Sequence, residues 1–342
     1  MGRLNDPDLL SVRERHLRRL EALFAGERLD PVFVLAGVSG IGDLAPDDDA
    51  SAWLRRATAA LEEQAPRAAD PAVFRPLGLE AWICGVHFLD RVLGARVYRG
   101  PGAAAGDTGG WWNDSLATPI GALRPPDLAT HPTWRAATDL AQSMVRASTT
   151  VPFLSTQVLS SPLNIAVNLY GEAFLVALYE APDAARHDLR VIADTIGRMH
   201  AWYRGCLPAT QFQPAVIGGR CQPRGCGQIC GCATQLLSAE LYRDFLAPLD
   251  AEILASYPRG GMIHLCGSHT QHIPVWREMQ ALRAIQVNDR AAEDLAAYFT
   301  GLREDQIIYW SPTARLPVAA ALRLTGGRRL VIAADLPQPP RC

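Results

Sequence analysis

The chain of 342 residues contains no lysine, because all 33 of its basic residues are arginine. This absence excludes enzymes that form a Schiff base through a lysine amine and enzymes that anchor pyridoxal phosphate on a lysine. It also excludes nucleotide-binding loops that depend on the P-loop lysine. Several large enzyme classes are therefore removed before any motif is considered.

The chain also lacks long apolar runs and a strong net charge. No stretch reaches the roughly 18–20 apolar residues that a membrane-spanning helix needs. The net charge is −2 and no basic stripe occurs, which argues against nucleic acid as a partner. The first twenty residues form a charged amphipathic pattern without the apolar centre of a secretory signal. We therefore expect a cytoplasmic protein that binds neither membranes nor nucleic acid.

Short apolar segments alternate with helical patterns along most of the chain. Strands are predicted near 31–37, 151–156, 214–219, 261–266, 283–288, 306–310 and 329–334. Strands that alternate with helices indicate a parallel sheet, and this many units fit a closed barrel. No G-x-G-x-x-G motif follows a strand to favour an open sheet. We predict an α/β fold, a single-domain (β/α)₈ TIM barrel over 31–342, preceded by an N-terminal helical extension over 1–30.

The sharpest local feature is the H-x-C motif formed by His264 and Cys266. Side chains alternate along a strand, so these two point the same way at the carboxyl end of 261–266. Parallel barrels keep their active sites at that end. Imidazole and thiolate are ligands that zinc favours. The alternative is a buried strand end with a hydrogen-bonded histidine and a small apolar cysteine.

A second feature is a run of four cysteines within twelve residues: Cys221, Cys226, Cys230 and Cys232. Thiols are expected in a reducing cytosol rather than disulfides. The run follows the strand predicted at 214–219, so we expect it at the barrel mouth. Its spacing matches no zinc-ribbon or ferredoxin pattern. Cys230 and Cys232 are the better candidates for additional zinc ligands, with a redox pair, a second metal or plain structure as alternatives.

Other residues near the predicted strand ends are candidates for substrate contacts or acid–base chemistry. His269 follows the H-x-C motif and is a candidate acid–base residue, with a polar helix start as the alternative. The arginines near the cysteine run provide a possible carboxylate clamp. The candidates for contact with substrate are Arg220, Arg224, Trp111 and Asn288.

Several segments resemble the uroporphyrinogen decarboxylase superfamily. They are Gly171 to Phe174, Leu178 to Pro182, Leu237 to Pro248, and His264 to Gly267. The resemblance covers roughly residues 30 to 342 and implies a (β/α)₈ barrel. The Arg-rich motif with which the haem-pathway decarboxylases begin is missing from the first strand. The chain is therefore more similar to the other branch, the zinc-dependent methyltransferases that move a methyl group between a corrinoid protein and a thiol.

That resemblance implies a ligand set and cofactors. Family members hold zinc with the H-x-C pair and a later cysteine, a place that Cys342 takes here, although family members usually continue for another helix. A terminal cysteine on a Pro-rich tail can equally remain unliganded. The expected cofactors are Zn²⁺ and a corrinoid (cobalamin). Since no D-x-H-x-x-G signature occurs, the corrinoid would be free or carried by a partner protein.

Three functions stay open on the sequence. The first is a zinc-dependent methyltransferase acting on a small thiol, which zinc would hold as a nucleophilic thiolate. The second is a decarboxylase or lyase that grips a carboxylated small molecule in the same barrel mouth. The third is a non-catalytic metal-binding barrel, which the density of thiols allows.

Overall fold

The computed structural model describes residues 2–36, 43–102 and 110–334. Helices cover a large part of this chain, and many carry proline at their first or second position, where its missing N–H costs no hydrogen bond. The α-helices are α1 Pro7–Phe24, α2 Ala50–Ala68, α3 Phe88–Val92, α4 Pro132–Arg146, α5 Pro162–Tyr170, α6 Glu172–Glu180, α7 Pro182–Cys206, α8 Ala239–Leu241, α9 Ala247–Ala255, α10 Ile273–Glu278, α11 Asp289–Glu293, α12 Leu295–Gly301 and α13 Val318–Thr325.

The strands are short and mostly apolar. They are β1 Phe33–Ala36, β2 Asp43–Leu44, β3 Val73–Phe74, β4 Gly78–Leu79, β5 Trp82–Ile83, β6 Val97–Arg99, β7 Trp111–Asn113, β8 Phe153–Leu154, β9 Gly227–Cys230, β10 Gly261–Leu265, β11 Leu282–Val287, β12 Ile307–Trp310 and β13 Leu330–Ala334. Within the described chain, seven of them form one parallel sheet in the order β3-β1-β13-β12-β11-β10-β9. All five residues of β10 are buried, as expected for a parallel sheet that is covered on both faces.

The register of this sheet lines up three side chains on neighbouring strands. His264 of β10 is level with Cys230 of β9 on one side and with Gln286 of β11 on the other. Cα partners in neighbouring strands point their side chains to the same face of a sheet. The sheet therefore places a thiol, an imidazole and an amide in one row near the carboxyl ends of the strands.

The α/β class predicted from the sequence is confirmed, whereas closure into an eight-stranded barrel stays a prediction. A parallel pair joins β4 to β8, and isolated bridges link Leu154 to Phe212 and Ser160 to Cys230. The N-terminal helix α1 packs on the sheet, since His16 stacks on Phe74 of β3. Division of the chain at residue 30 also stays a prediction.

The strand predicted over 214–219 is wrong, because these residues form an irregular segment that ends in a turn. Pro214 has no N–H to donate to a neighbouring strand. The backbone N–H groups of Val216 and Ile217 donate to the carboxylate of Glu80, each over 2.8 Å. The carboxylate of Glu80 therefore accepts the hydrogen bonds that these backbone N–H groups would otherwise donate to a neighbouring strand. The next strand, β9, begins at Gly227.

The helical segment between β8 and α7 is divided into α5 and α6 at Gly171. That glycine has a φ of +65°, a conformation that side chains with a Cβ rarely adopt. Across the described ranges, no helix combines the length and apolar composition needed to cross a bilayer.

Candidate metal centre

Two cysteines and one histidine meet at the carboxyl ends of β9 and β10. Cys266 Sγ lies 3.2 Å from Nε2 of His264 and 3.4 Å from Sγ of Cys232. The three ligand atoms all lie within 4.8 Å of one another. His264 is 4% exposed, and the two cysteines are half-buried. The group therefore has one side against the interior and one side within reach of a small molecule.

Two strands and the turn after β9 bring these residues together. His264 is the fourth residue of β10, and Cys266 follows the end of that strand. The N–H of Gly231 donates to the backbone oxygen of His264 over 2.9 Å. The N–H of Ala233 donates to Oδ1 of Asn164 on α5 over 2.8 Å. These two bonds fix the backbone on both sides of Cys232, so its thiol is held next to β10.

The ring of His264 is oriented by Gln286. Nδ1 of His264 lies 2.8 Å from Oε1 of Gln286. An amide oxygen only accepts, so Nδ1 carries the proton and Nε2 presents its lone pair toward Cys266. Burial, with Arg220 as the next cause, lowers the pKa of His264. The imidazole is therefore neutral and has the tautomer that a metal ligand needs.

The thiols of Cys232 and Cys266 differ in pKa. The hydrogen bond from the thiol of Cys232 is the largest cause that lowers the pKa of Cys266 below its usual value. The same bond, followed by burial, raises the pKa of Cys232. Of the two thiols, Cys266 therefore loses its proton more readily. A metal ion bound between them would displace both protons and be held by two thiolates.

The donor set fits zinc. Tetrahedral zinc with bonds of about 2.3 Å to sulfur and about 2.0 Å to nitrogen places its sulfurs about 3.8 Å apart. The observed separation of 3.4 Å between Cys232 and Cys266 is shorter by a few tenths of an ångström, which side-chain rotation can supply. Two thiolates and one imidazole are the ligands of the catalytic Cys₂His type, which leaves a fourth position open.

A half-buried arginine, Arg220, lies beside the group. Nη1 of Arg220 is 3.5 Å from Sγ of Cys230, and its Nε donates to Oε1 of Gln286 over 3.0 Å. Gln228 contacts the same sulfur through Nε2, also at 3.5 Å. Cys230 is 8% exposed and stands behind the group of three rather than within it. Both groups that contact its sulfur are hydrogen-bond donors, and the guanidinium of Arg220 is positively charged.

Glu80 holds the segment that carries Arg220. Its side chain is buried. One carboxylate oxygen accepts from the N–H groups of Val216 and Ile217, and the other accepts from Nε1 of Trp82 over 3.1 Å. Burial raises the pKa of Glu80, while these three donors act in the opposite direction. The carboxylate therefore fixes the turn that leads to Arg220.

Replacing Glu80 with glutamine is expected to lower the free energy of unfolding by about 1–3 kcal/mol, because the amide NH₂ must face an N–H donor on one side. Chemical denaturation measures this loss. Glu62→Gln is the matched control, since Glu62 also accepts from two backbone N–H groups but at the surface, and its cost should stay within about 0.5 kcal/mol. Equal losses in the two variants would contradict the role given to Glu80.

A cavity of about 240 Å³ lies at the ends of β11, β12 and β13. Asn288, Ser311 and Ala333 line it from the strand ends, and Gly218 and Gly219 line it from the turn before Arg220. Nε2 of Gln286 donates to the backbone oxygen of Gly218. Since the same amide contacts His264, the cavity begins one side chain away from the histidine.

The structure does not bring all the predicted site residues together. Arg224 forms an ion pair with Glu14 of α1 over 2.6 Å, so it does not stand with Arg220 as a clamp. Trp111 is buried and donates through Nε1 to Asp43. His269 is fully buried, with Nδ1 2.6 Å from the backbone oxygen of Gly267.

Cys342 lies outside the described residues, so its assignment as a ligand stays a prediction. The described chain supplies three ligand atoms without it. Sequence reasoning missed Gln286 and Glu80. Gln286 carried a usable signal, because it is a polar residue within the apolar β11 and stands two residues before Asn288, on the same face of the strand.

The comparisons with known proteins identify the fold. No family model and no curated protein matches the chain. Nineteen chains among the solved structures match. One is a methyltransferase from Methanosarcina mazei, with a TM-score of 0.63, 13% sequence identity, and coverage of 95% of this chain and 94% of that chain. At this identity the likeness shows an α/β fold shared over nearly the whole of both chains, and the uroporphyrinogen decarboxylase superfamily stays a prediction.

Proposed function

We propose that the protein is a zinc-dependent methyltransferase that transfers a methyl group to a small thiol. The observation that carries the proposal is the meeting of Cys232, His264 and Cys266 at the strand ends. Gln286 links His264 to a cavity at the same ends of the sheet. The fold shared with a methyltransferase supports the proposal. The pairing of β4 with β8 and the bridge from Ser160 to Cys230 of β9 support the closed (β/α)₈ barrel that we propose as its frame.

Cys232, His264 and Cys266 would hold the zinc ion. Zinc bound there would supply Lewis acidity, lowering the pKa of a substrate thiol so that it is present as a thiolate at neutral pH. Gln286 keeps Nε2 of His264 directed at the site through its bond to Nδ1. Two cysteine thiolates and a substrate thiolate carry one more negative charge than a divalent cation neutralises. Arg220, 3.5 Å from Sγ of Cys230, places a compensating positive charge beside them.

In the proposed reaction the substrate sulfur forms a bond to the methyl carbon as the bond between that carbon and its carrier breaks. The electron pair of the broken bond remains with the carrier, and the thiol proton passes to solvent. We propose a corrinoid as the carrier, free or bound to a partner protein, because the chain has no D-x-H-x-x-G signature of its own. The ion pair of Arg224 with Glu14 of α1 leaves the alternative of a two-arginine carboxylate clamp without support.

Incubation of the zinc-loaded protein with methylcobalamin and 2-mercaptoethanol tests the proposal. We expect the methyl thioether to form, detected by mass spectrometry, and His264→Ala to abolish its formation. Arg224→Gln is the matched control and should retain activity, because Arg224 pairs with Glu14 instead of lining the site. A wild-type protein that holds zinc and methylates no thiol, or a His264→Ala variant as active as the wild type, would contradict the function.

A further inference from the structure

The two cysteines of the metal centre are close enough to react with each other. Sγ of Cys232 lies 3.4 Å from Sγ of Cys266. A disulfide holds its sulfurs about 2.05 Å apart, so the two thiols are about 1.4 Å short of a bond. Zinc would move the same sulfurs in the opposite direction, to about 3.8 Å. The pair therefore stands between two states, one with a metal ion and one with a disulfide.

The backbones that carry these thiols are held in place by hydrogen bonds. The N–H of Gly231, next to Cys232, donates to the backbone oxygen of His264 over 2.9 Å. The N–H of Ala291 donates to the backbone oxygen of Cys266 over 3.0 Å. These two bonds involve no side chain, so rotation of the cysteine side chains leaves them intact. The sulfurs can therefore approach each other while the strand ends keep their register.

The pair is also partly exposed to solvent. Cys232 and Cys266 are half-buried, and so is Cys206 at the end of α7. The remaining cysteines of the described chain are buried, namely Cys84, Cys221, Cys226 and Cys230. A small oxidant that enters from solvent therefore meets two adjacent thiols at the metal centre, whereas at Cys206 it meets a thiol at the end of a helix.

Cys230 is a third thiol in this region, but it is held away from the other two. It is buried, and its sulfur is 3.5 Å from Nη1 of Arg220 and 3.5 Å from Nε2 of Gln228. Both contacts come from donors that direct the sulfur away from solvent. Cys266 is therefore the expected partner of Cys232 in a disulfide.

We propose that Cys232 and Cys266 form a reversible disulfide with hydrogen peroxide as the oxidant, and that this modification releases the metal ion. The inference rests on the metal centre of the proposed function, whereas the disulfide itself requires only the two thiols. A sulfur in a disulfide is no longer a thiolate ligand. Of the three ligands in the described chain, the disulfide leaves only His264.

The reaction balances with one peroxide for each disulfide. One sulfur forms a bond to a peroxide oxygen as the O–O bond breaks, and the other oxygen leaves as water. The second sulfur then forms the S–S bond as the S–O bond breaks, and that oxygen leaves as a second water. The sulfurs lose two electrons and the peroxide gains them. The two protons come from the thiols, or from solvent where a metal ion has replaced them.

Return to the reduced state requires a thiol. Two molecules of a small thiol reduce the disulfide by exchange, through a mixed disulfide, and leave as their own disulfide. The substrate class of the proposed function would therefore also supply the reductant.

The test treats zinc-loaded protein with hydrogen peroxide, follows zinc with a chromophoric chelator, and locates disulfides by mass spectrometry of non-reduced peptides. We expect about one equivalent of zinc to be released for each Cys232–Cys266 disulfide, and 2-mercaptoethanol to restore zinc binding. Release of zinc without this disulfide, or a disulfide between other cysteines, would overturn the inference.

A parallel sample of metal-free protein separates this inference from the proposed function. The same disulfide should form there, because the thiols react without a metal ion. A protein that binds zinc and methylates a thiol, yet forms no Cys232–Cys266 disulfide in either sample, would overturn the inference and leave the function intact. A protein that forms the disulfide but holds no zinc when reduced would overturn the function, and with it the release of metal.

Serine variants of the metal-free protein check which thiols react. Cys206→Ser removes the other half-buried thiol, and Cys230→Ser removes the buried thiol beside the site. Both should form the Cys232–Cys266 disulfide at the wild-type rate. Cys232→Ser should lose it and leave Cys266 without an intramolecular partner. Loss of the disulfide in Cys230→Ser would identify Cys230 as a participant and overturn the assignment.

Discussion

Zinc binding is expected to weaken by about a thousandfold when Cys232 is replaced by serine. Zinc sites formed by a few protein ligands have apparent binding free energies of about 10–16 kcal/mol, so one ligand accounts for roughly 4 kcal/mol. Cys232 is one of the three side chains whose ligand atoms lie within 4.8 Å of one another, and a hydroxyl is a much poorer ligand for zinc than a thiolate. Competition with a chromophoric chelator measures the affinity.

Two further cysteine variants complete this experiment. Cys206→Ser is the matched control, because Cys206 is also half-buried but lies at the end of α7, and its zinc affinity should equal that of the wild type. Cys342→Ser tests the later cysteine that the family resemblance implies. We expect it to retain zinc, since three ligands are complete without it. Loss of zinc in Cys342→Ser together with retention in Cys232→Ser would reverse the assignment.

Zinc affinity is also expected to fall by about 10- to 100-fold in Gln286→Leu, although Gln286 is not itself a zinc ligand. Leucine has a similar size but no acceptor for Nδ1 of His264, so the ring loses both its fixed tautomer and its orientation. The replacement also removes the hydrogen bonds that the amide of Gln286 makes with Nε of Arg220 and with the backbone oxygen of Gly218. The same chelator competition reports the change.

Gln228→Leu is the matched control for this prediction. Gln228 is a buried glutamine on β9 that contacts Cys230 rather than His264. Its replacement removes an interior amide from the neighbouring strand but leaves the ring of His264 held. We expect zinc affinity within about threefold of the wild type, a change below roughly 0.7 kcal/mol. Equal losses in the two variants would indicate general damage to the strand ends instead of a specific hold on His264.

The sequence predicted those parts of the site that depend on local spacing. His264 and Cys266 are two residues apart at the end of a strand, and alternation along the strand is enough to place them together. Cys232 was one of several candidates in the thiol-rich run. Its selection depends on the pairing of β9 with β10 and on the bond from Gly231 to His264, which are contacts between segments far apart in the chain.

The parts that could not be predicted depend on such long-range contacts. The carboxylate of Glu80 satisfies the backbone of Val216 and Ile217, so an apolar run that is typical of a strand forms an irregular segment and turn instead. Arg224 is four residues from Arg220 but pairs with Glu14 of α1. Closeness in the sequence therefore did not predict that the two arginine side chains lie apart. The turn between them separates the side chains, and no local sequence pattern predicts where α1 packs.

The most direct test of the metal centre is X-ray absorption at the zinc edge on the zinc-loaded protein, combined with an anomalous-scattering map of its crystals. We expect one zinc ion with two sulfur ligands at about 2.3 Å and one imidazole nitrogen at about 2.0 Å, and density joining it to Cys232, Cys266 and His264. A zinc ion bound elsewhere, or a protein that binds no metal while these three side chains are intact, would contradict it.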